Sequence, residues 1–197
     1  MTGLVLASKS MARRAVLDGA RVPFQVDVAG VDEEAVKAER LAAGEGPREI
    51  AEALAELKAV KISQTRPDYV IGADQTLDLD GVLYDKAETL EAARIRLHTL
   101  RGRTHLLHSA VCVAKDGMVL WRRTSEARLT MRNFSDAFLD DYLAREGQAA
   151  LGSVGCYRLE DLGAQLFSSI EGDYFAILGL PLLELMTFLR GEKVLAA

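Results

Sequence analysis

Apolar runs alternate along the chain with segments whose apolar residues recur at helical spacing, which predicts an ordered series of strands and helices. The apolar run at residues 4–7 predicts a short buried strand. The segment after it predicts a helix with Ser10 as its N-cap. Residues 24–28 alternate between apolar and polar side chains, which predicts a second strand. A loop at residues 30–34 then leads into a polar helix.

A long helix and a buried strand are predicted next. The helix begins with Pro47 in its first turn and carries apolar residues along one face. These residues are Ile50, Leu54, Leu57 and Ile62. The apolar run at residues 69–73 predicts the strand, and three polar residues begin where that run stops.

Two hairpins are predicted from turn residues between alternating segments. Residues 76–79 pair back on residues 82–84. Residues 104–115 and 118–131 form longer strands joined at Asp116-Gly117, the strongest hairpin signal in the chain. The remaining predicted elements are a helix capped by Thr89, a helix capped by Ser135, an irregular segment at 152–163, a short apolar segment at 165–170, a last strand at 174–178 and a closing helix from 181 to 189.

The order of these elements predicts an α/β protein with a mixed, twisted sheet and helices on both of its faces. No internal repeat, low-complexity tract or long linker divides the sequence. Residues 1–197 are therefore expected to form one domain.

Composition and charge exclude several classes of function. The chain has a formal net charge of -5 and no long basic run, so binding to nucleic acid or to a membrane surface is not expected. No apolar run reaches the length of a membrane span, and the first residues lack a secretory signal, which favours a cytoplasmic protein. Cys112 and Cys156 belong to no CxxC pair and are expected to be buried free thiols.

The first helix has a pattern that is typical of anion binding. A strand that runs into a serine-capped helix directs free backbone N–H groups at one point, which the helix dipole makes positive. Arg13 lies in the first turn, where its charge opposes the dipole, and an external anion would account for a cation at this position. The same residues also fit an ordinary capped helix with Arg13 and Arg14 as solvated side chains.

Polar side chains are predicted to converge at one end of the sheet. Ser8 and Asp74 each follow a predicted strand, so they meet if those strands are parallel neighbours. Lys58 and Lys86 come from elements that flank the same strand end, and Glu33 lies at the beginning of another predicted helix. Lysine and arginine suit phosphate oxygens, and carboxylates suit a divalent metal ion and a water molecule. The set predicts a site for a phosphate ester and a divalent cation, although such lysines are also common as solvated surface charges.

Nucleotide-binding motifs of two other classes are missing from the sequence. It contains neither a P-loop nor a GxGxxG motif. This argues against a P-loop ATPase and against a nicotinamide-dependent enzyme.

Four short motifs occur in order at residues 6–13, 72–76, 100–105 and 179–181. Together they resemble the signatures of the Maf family, cytoplasmic nucleoside triphosphate pyrophosphatases with a house-cleaning role, over nearly the whole chain. The resemblance implies a fold like that of inosine-triphosphate pyrophosphatases, with two lobes around a long central sheet and the nucleotide in the cleft between them. It also implies hydrolysis of a nucleoside triphosphate to monophosphate and pyrophosphate, dependence on Mg²⁺ or Mn²⁺, and a homodimer.

The resemblance also implies roles for individual residues. Asp74 matches the proton acceptor of the family and Glu33 its first acidic position, and both are expected to hold the metal ion. The phosphate-binding positions are Ser8, Ser10, Arg13, Lys58 and Lys86. Substrate preference falls to Ala12, Gln75 and Glu160. Gln75 with Glu160 resembles the branch that acts on 7-methyl-GTP rather than the branch that acts on dTTP and UTP.

Two positions depart from the pattern of the family. Ala12 stands where the 7-methyl-GTP branch has a tryptophan, whose ring would stack on a cationic base, and Tyr157 is a candidate to replace that ring. Residues 85–87 read Asp-Lys-Ala instead of Gly-Lys-Pro, so the loop around Lys86 loses two restricting residues. This change favours an alternative function, a nucleotide-binding regulator linked to cell division with little turnover.

Overall fold

The computed structural model describes residues 3–28 and 30–196, which form seven strands and seven α-helices. The strands are β1 (Leu4–Leu6), β2 (Gln25–Val26), β3 (Tyr69–Leu79), β4 (Val82–Tyr84), β5 (Thr104–Lys115), β6 (Met118–Met131) and β7 (Phe167–Glu171). The helices are α1 (Met11–Gly19), α2 (Glu33–Ala42), α3 (Pro47–Ser63), α4 (Leu90–Leu100), α5 (Asp136–Glu146), α6 (Tyr174–Ile177) and α7 (Leu182–Gly191). Short 3₁₀ helices at Gly147–Gly152 and Leu162–Leu166 lie between α5 and β7.

The strands form one mixed sheet in the order β2-β1-β3-β5-β6-β7, and β4 pairs with the last residues of β3. β1 runs parallel to β2 and β3, whereas the other pairs are antiparallel. The predicted α/β class with a mixed sheet is confirmed. The expected parallel pairing of the first strand with the strand that begins at Tyr69 is also confirmed, because Leu6 lies opposite Ile71.

The face of β3 that carries Gly72 packs tightly against α3. A Cβ atom at position 72 would lie 2.1 Å from the carbonyl oxygen of Ala55 and 2.5 Å from the amide nitrogen of Ala59. Only glycine leaves room for the helix backbone at this crossing. Side chains two positions apart in a strand share a face, so Asp74 also points toward α3. The close crossing therefore fixes which helix residues can reach Asp74.

The opposite face of β3 packs against other helices through two hydrophobic clusters. The first joins β1, β3, α1 and α7 through Leu6, Ile71, Leu17, Leu182 and Leu185. The second joins the later parts of β3, β5 and β6 to α4 and α5 through Leu77, Leu107, Leu129, Leu97 and Leu139. Helices therefore lie on both faces of the sheet, as predicted.

The long hairpin and the capped helices match the prediction. β5 and β6 have the predicted bounds, and the turn residues Asp116 and Gly117 both have positive φ angles, of 49° and 76°. Two such residues in succession are the requirement of a type I′ turn. Ser10, Thr89 and Ser135 each accept a hydrogen bond from a backbone N–H in the first turn of the helix that they cap.

Three predicted elements are wrong in part. Residues 174–177 form a short helix instead of a strand, because Asp173 caps it and Gly179, at a φ of 96°, ends it. β3 does not stop before Asp74 but continues to Leu79, because a lysine from α3 pairs with that carboxylate. β2 contains only two residues, since its partner β1 has only three.

Two further expectations concern burial and membrane insertion. Cys112 and Cys156 are buried free thiols, as predicted, and burial raises the pKa of the Cys112 thiol to about 12. Leu57 is wrongly placed on the core face of α3, because it is exposed to solvent. None of the helices in the described ranges combines the length and hydropathy that a membrane span needs.

Candidate active site

The loop between β1 and α1 brings two serines and an arginine together. Ser10 caps α1, and its Oγ accepts a hydrogen bond from the backbone N–H of Arg13 at 3.3 Å. Ser8 is buried, and its Oγ accepts hydrogen bonds from the Ser10 backbone N–H at 3.2 Å and from Arg13 Nη1 at 3.1 Å. Three of the predicted phosphate-binding residues, Ser8, Ser10 and Arg13, are therefore in direct contact.

Arg13 is buried and is held by the loop before α7. Its Nε donates to the carbonyl oxygen of Gly179 at 2.8 Å. Burial lowers the pKa of the guanidinium, while the negative charges of Asp74 and Glu33 oppose that change. The interpretation of Arg13 as a solvated side chain is wrong. Its contact with Gly179 also joins the first and the last of the four sequence motifs.

Lys58 lies between two carboxylates. Its Nζ is 2.7 Å from Asp74 Oδ1 and 2.9 Å from Glu33 Oε1. The side chains of Lys58 and Asp74 are 9% and 12% exposed, whereas that of Glu33 is 43% exposed at the beginning of α2. The alternative interpretation of Lys58 as a solvated surface charge is wrong, because α3 aims it at the buried carboxylate on β3.

Lys86 approaches the same charged group from the loop after β4. The pKa of its ammonium is lowered by partial desolvation and by the positive charge of Arg13, while Asp74 and Glu33 act in the opposite direction. These mutual effects mean that the five charged residues share one electrostatic environment. Two negative charges against three positive ones leave a surplus of one positive charge.

The loop around Lys86 is held by contacts of Asp85 and Ala87, the two residues that differ from the family pattern. Asp85 forms an ion pair with Lys37 on α2, and its backbone carbonyl accepts a hydrogen bond from Arg96 at 2.8 Å. Ala87 is buried in the cluster beneath α4. The carboxylate of Asp85 is therefore engaged by a different cation from Lys86.

An opening in the sheet lies beside Asp74. β1 ends opposite Ile71, and β4 begins to pair at Leu77. Residues 72–76 of β3 therefore pair only with β5, as far as the described strands are concerned. A ligand at this gap can reach residues on both faces of β3.

Two of the three predicted selectivity residues, Ala12 and Glu160, line one apolar cavity of about 500 Å³. Gln75 points to the same face of β3 as the helices α6 and α7. Its amide nitrogen donates to Ser109 Oγ at 2.8 Å and to the carbonyl oxygens of Ala176 and Ile177 at 3.1 and 3.0 Å. The nitrogen of Gln75 is therefore engaged by the protein itself.

A comparison with protein-family models gives a match over residues 3–192 to the family described as Maf-like protein. The chain belongs to the Maf family. This confirms the family resemblance that the four motifs predict. The gap beside Asp74, which Ser8, Lys58 and Lys86 flank, is thus part of a Maf fold.

Relatives of this Maf chain carry pyrophosphatase names. A protein of Caulobacter vibrioides, 59% identical over 190 residues that cover 96% of both chains, is named nucleoside triphosphate pyrophosphatase. A protein of Paramagnetospirillum magneticum with the same name is 55% identical and covers 96% of this chain and 100% of its own. A protein of Brucella abortus, 48% identical over 96% of both chains, is named 7-methyl-GTP pyrophosphatase.

The Maf site offers oxygen ligands that suit a small divalent cation. Asp74 and Glu33 both contact the Lys58 ammonium, and residues 3–28 and 30–196 contain no cluster of three or more His, Cys, Asp or Glu that could enclose a metal. Magnesium is typically bound by one or two carboxylates together with water and substrate phosphates. The pair of carboxylates at Asp74 and Glu33 fits that preference.

Two aromatic residues of the Maf cavity were missed by the sequence analysis. Tyr174 and Phe175 on α6 line this cavity. The sequence analysis predicts a strand over this segment and assigns these residues no role at the site. The candidate ring, Tyr157, is buried elsewhere and contacts His105 through its hydroxyl at 2.7 Å. The signal that could have found α6 is an aspartate before the segment and a glycine after it.

Proposed function

We propose that this chain hydrolyses nucleoside triphosphates to nucleoside monophosphates and pyrophosphate at the gap beside Asp74. The observation that carries the proposal is the buried Lys58 between Asp74 and Glu33, with Arg13 in the same charged group. The names of the relatives support the same reaction.

The triphosphate is bound by charge and by the beginning of α1. Arg13, Lys58 and Lys86 offset the charge of the phosphate oxygens. Ser8 and Ser10, with the N–H groups in the first turn of α1, add hydrogen bonds. Because Arg13 is already fixed by Gly179, little side-chain entropy is lost when its free N–H groups meet a phosphate.

Asp74 is the proton acceptor for the attacking water. The oxygen of the water forms a bond to the α-phosphorus, the bond from that phosphorus to the bridging oxygen breaks, and pyrophosphate leaves with the electron pair. The proton of the water passes to the Asp74 carboxylate. In the structure, Lys58 lies 2.7 Å from Asp74. When a triphosphate binds, the Lys58 ammonium offsets the negative charge of its phosphate groups.

Asp74 and Glu33 are the residues that would hold Mg²⁺ or Mn²⁺. When bound, the cation would neutralise charge on the triphosphate. Both carboxylates share the single Lys58 ammonium as a partner.

The base preference that we propose is for guanine nucleotides, with 7-methyl-GTP cleaved fastest. A carboxylate at Glu160 suits the adjacent N1–H and N2–H₂ donors of guanine and the positive charge of an N7-methylated ring. The Brucella relative supports this choice by its name. A single domain, a homodimer and a location in the cytoplasm, as the sequence and the family lead us to expect, complete the proposal.

The experiment is pyrophosphate release from 7-methyl-GTP, GTP, dTTP and UTP with Mg²⁺, in water enriched in ¹⁸O. We expect release from all four, in the order 7-methyl-GTP, GTP, then the pyrimidine nucleotides. The label appears in the monophosphate if water attacks the α-phosphorus. The variant Glu160→Gln should narrow the gap between guanine and pyrimidine nucleotides.

The outcomes separate the enzyme from the regulator. Binding of a nucleotide without release of pyrophosphate from any of the four would favour the regulator. Faster cleavage of dTTP or UTP than of both guanine nucleotides would contradict the base preference and leave the reaction intact.

A further inference from the structure

We propose that Tyr174 determines base selectivity by supplying the aromatic face against which the nucleobase stacks. The inference rests on the proposed function and extends it to a residue on α6. The cavity of about 500 Å³ lies between α1, α6 and α7, and Tyr174 forms part of its wall. Tyr174 is 47% exposed, so much of its surface remains accessible to a ligand.

The cavity adjoins the residues that hold phosphate. Ala12, which lines it, directly precedes Arg13 in the first turn of α1. A nucleotide whose phosphates contact Arg13 therefore has its base within reach of the cavity. The small side chain of Ala12 leaves the space on the α1 side open.

The chemistry of the cavity suits a planar ring that is cationic or rich in N–H donors. Glu160 is the one charged residue among the described residues that line it, and the other lining residues are mostly apolar. An aromatic face attracts a cationic ring, and a carboxylate adds charge complementarity. N7-methylated guanine, unlike the common uncharged nucleobases, carries a positive charge in addition to its N–H donors.

Tyr174 is held on a fixed element although α6 has only four residues. Asp173 caps the helix through the Ala176 backbone N–H at 2.7 Å. The carbonyl oxygen of Ala176 accepts hydrogen bonds from Ser109 Oγ at 2.6 Å and from Gln75 Nε2 at 3.1 Å. Gln75 therefore helps to position α6. Through α6, Gln75 would influence base selectivity indirectly.

The test compares Tyr174→Ala and Tyr174→Phe with the wild type. We expect Tyr174→Ala to raise KM for 7-methyl-GTP by about tenfold, to lower kcat by less than twofold, and to reduce the preference for 7-methyl-GTP over GTP. Tyr174→Phe keeps the ring and should retain that preference within about twofold. Leu120→Ala is the matched control, because Leu120 is 42% exposed and does not line the cavity.

A second readout is independent of turnover. Calorimetric titration with 7-methyl-GMP should show about tenfold weaker binding to Tyr174→Ala and wild-type binding to Tyr174→Phe. Equal KM, preference and affinity in Tyr174→Ala and wild type would overturn the inference while pyrophosphate release continued. A wild type that binds 7-methyl-GMP through Tyr174 but releases no pyrophosphate would overturn only the proposed reaction.

Discussion

Arg13 and Lys58 are the residues whose surroundings most change the interpretation of the sequence. The sequence is compatible with either cation being solvated. In the structure both are buried, Arg13 against the carbonyl oxygen of Gly179 and Lys58 against Asp74. A buried cation needs a partner to offset the loss of its hydration. Both cations are buried in one charged group that also contains Asp74 and Glu33.

Arg13→Ala should weaken both the substrate complex and the fold. Its guanidinium donates to Gly179 and to Ser8, so removal leaves two buried acceptors without that donor. We expect a loss of about 1–3 kcal/mol in the free energy of unfolding. We also expect KM for triphosphates to rise about tenfold. Urea unfolding and steady-state kinetics measure the two effects.

Arg14→Ala is the control for this prediction. Arg14 is the next residue of α1, and its Nε is buried with no hydrogen-bond partner in the described part of the chain. Its replacement should leave KM for triphosphates within about twofold of wild type. A similar rise in KM in both variants would show that Arg13 acts through general charge instead of position.

At the scale of elements, local signals predicted most helices and strands correctly. Ser10, Pro47 and the Asp116-Gly117 turn each act within a few residues, so their effects can be inferred directly from the sequence. Asp74 misled the prediction of where β3 ends, because the lysine that allows a carboxylate within the strand comes from another element, α3. The contact between Arg13 and Gly179 spans 166 positions, and periodicity carries no information about such a pair.

The crossing of α3 over β3 is the packing feature that sets the site, and Gly72→Ala tests it. The added Cβ would meet the Ala55 carbonyl oxygen at 2.1 Å, so α3 must move and carry Lys58 with it. We expect the free energy of unfolding to fall by about 3 kcal/mol, with a loss of pyrophosphate release. Urea unfolding and a turnover assay at a temperature where the variant is folded measure these effects.

Gly191→Ala is the matched control for the crossing. A Cβ at position 191, the last residue of α7, meets nothing within 4 Å. The free energy of unfolding should stay within about 0.5 kcal/mol of wild type. Equal stability and equal turnover in the two glycine variants would mean that α3 adapts without moving Lys58.

For the whole molecule, acid stability depends on a buried histidine. Burial lowers the pKa of His105 to about 4, and its Nε2 contacts the Tyr157 hydroxyl. Between pH 6.5 and 4 the unfolded chain binds a proton at this residue and the folded chain does not, so stability falls as the pH falls. His105 accounts for a decrease of up to about 3 kcal/mol in the free energy of unfolding. Below pH 4 it causes no further decrease.

Unfolding by urea at a series of pH values checks this contribution. His105→Gln should show a smaller decrease in the free energy of unfolding between pH 6.5 and 4 than the wild type. His98→Gln is the control, because the His98 side chain is 52% exposed. Identical pH slopes for wild type and His105→Gln would assign the acid sensitivity to other groups.

The turnover of Asp74→Asn shows whether Asp74 accepts the proton in the hydrolysis of a nucleoside triphosphate. The amide is of the same size, and Lys58 keeps Glu33 as a partner, so the fold and nucleotide binding should persist. The exposed Asp80→Asn, in the turn that follows β3, serves as the control. We predict that Asp74→Asn releases pyrophosphate about 10²–10⁴-fold more slowly than wild type at saturating 7-methyl-GTP and Mg²⁺, while Asp80→Asn retains the wild-type rate. A rate for Asp74→Asn within a few-fold of wild type would show that another residue accepts the proton, with Glu33 the next candidate.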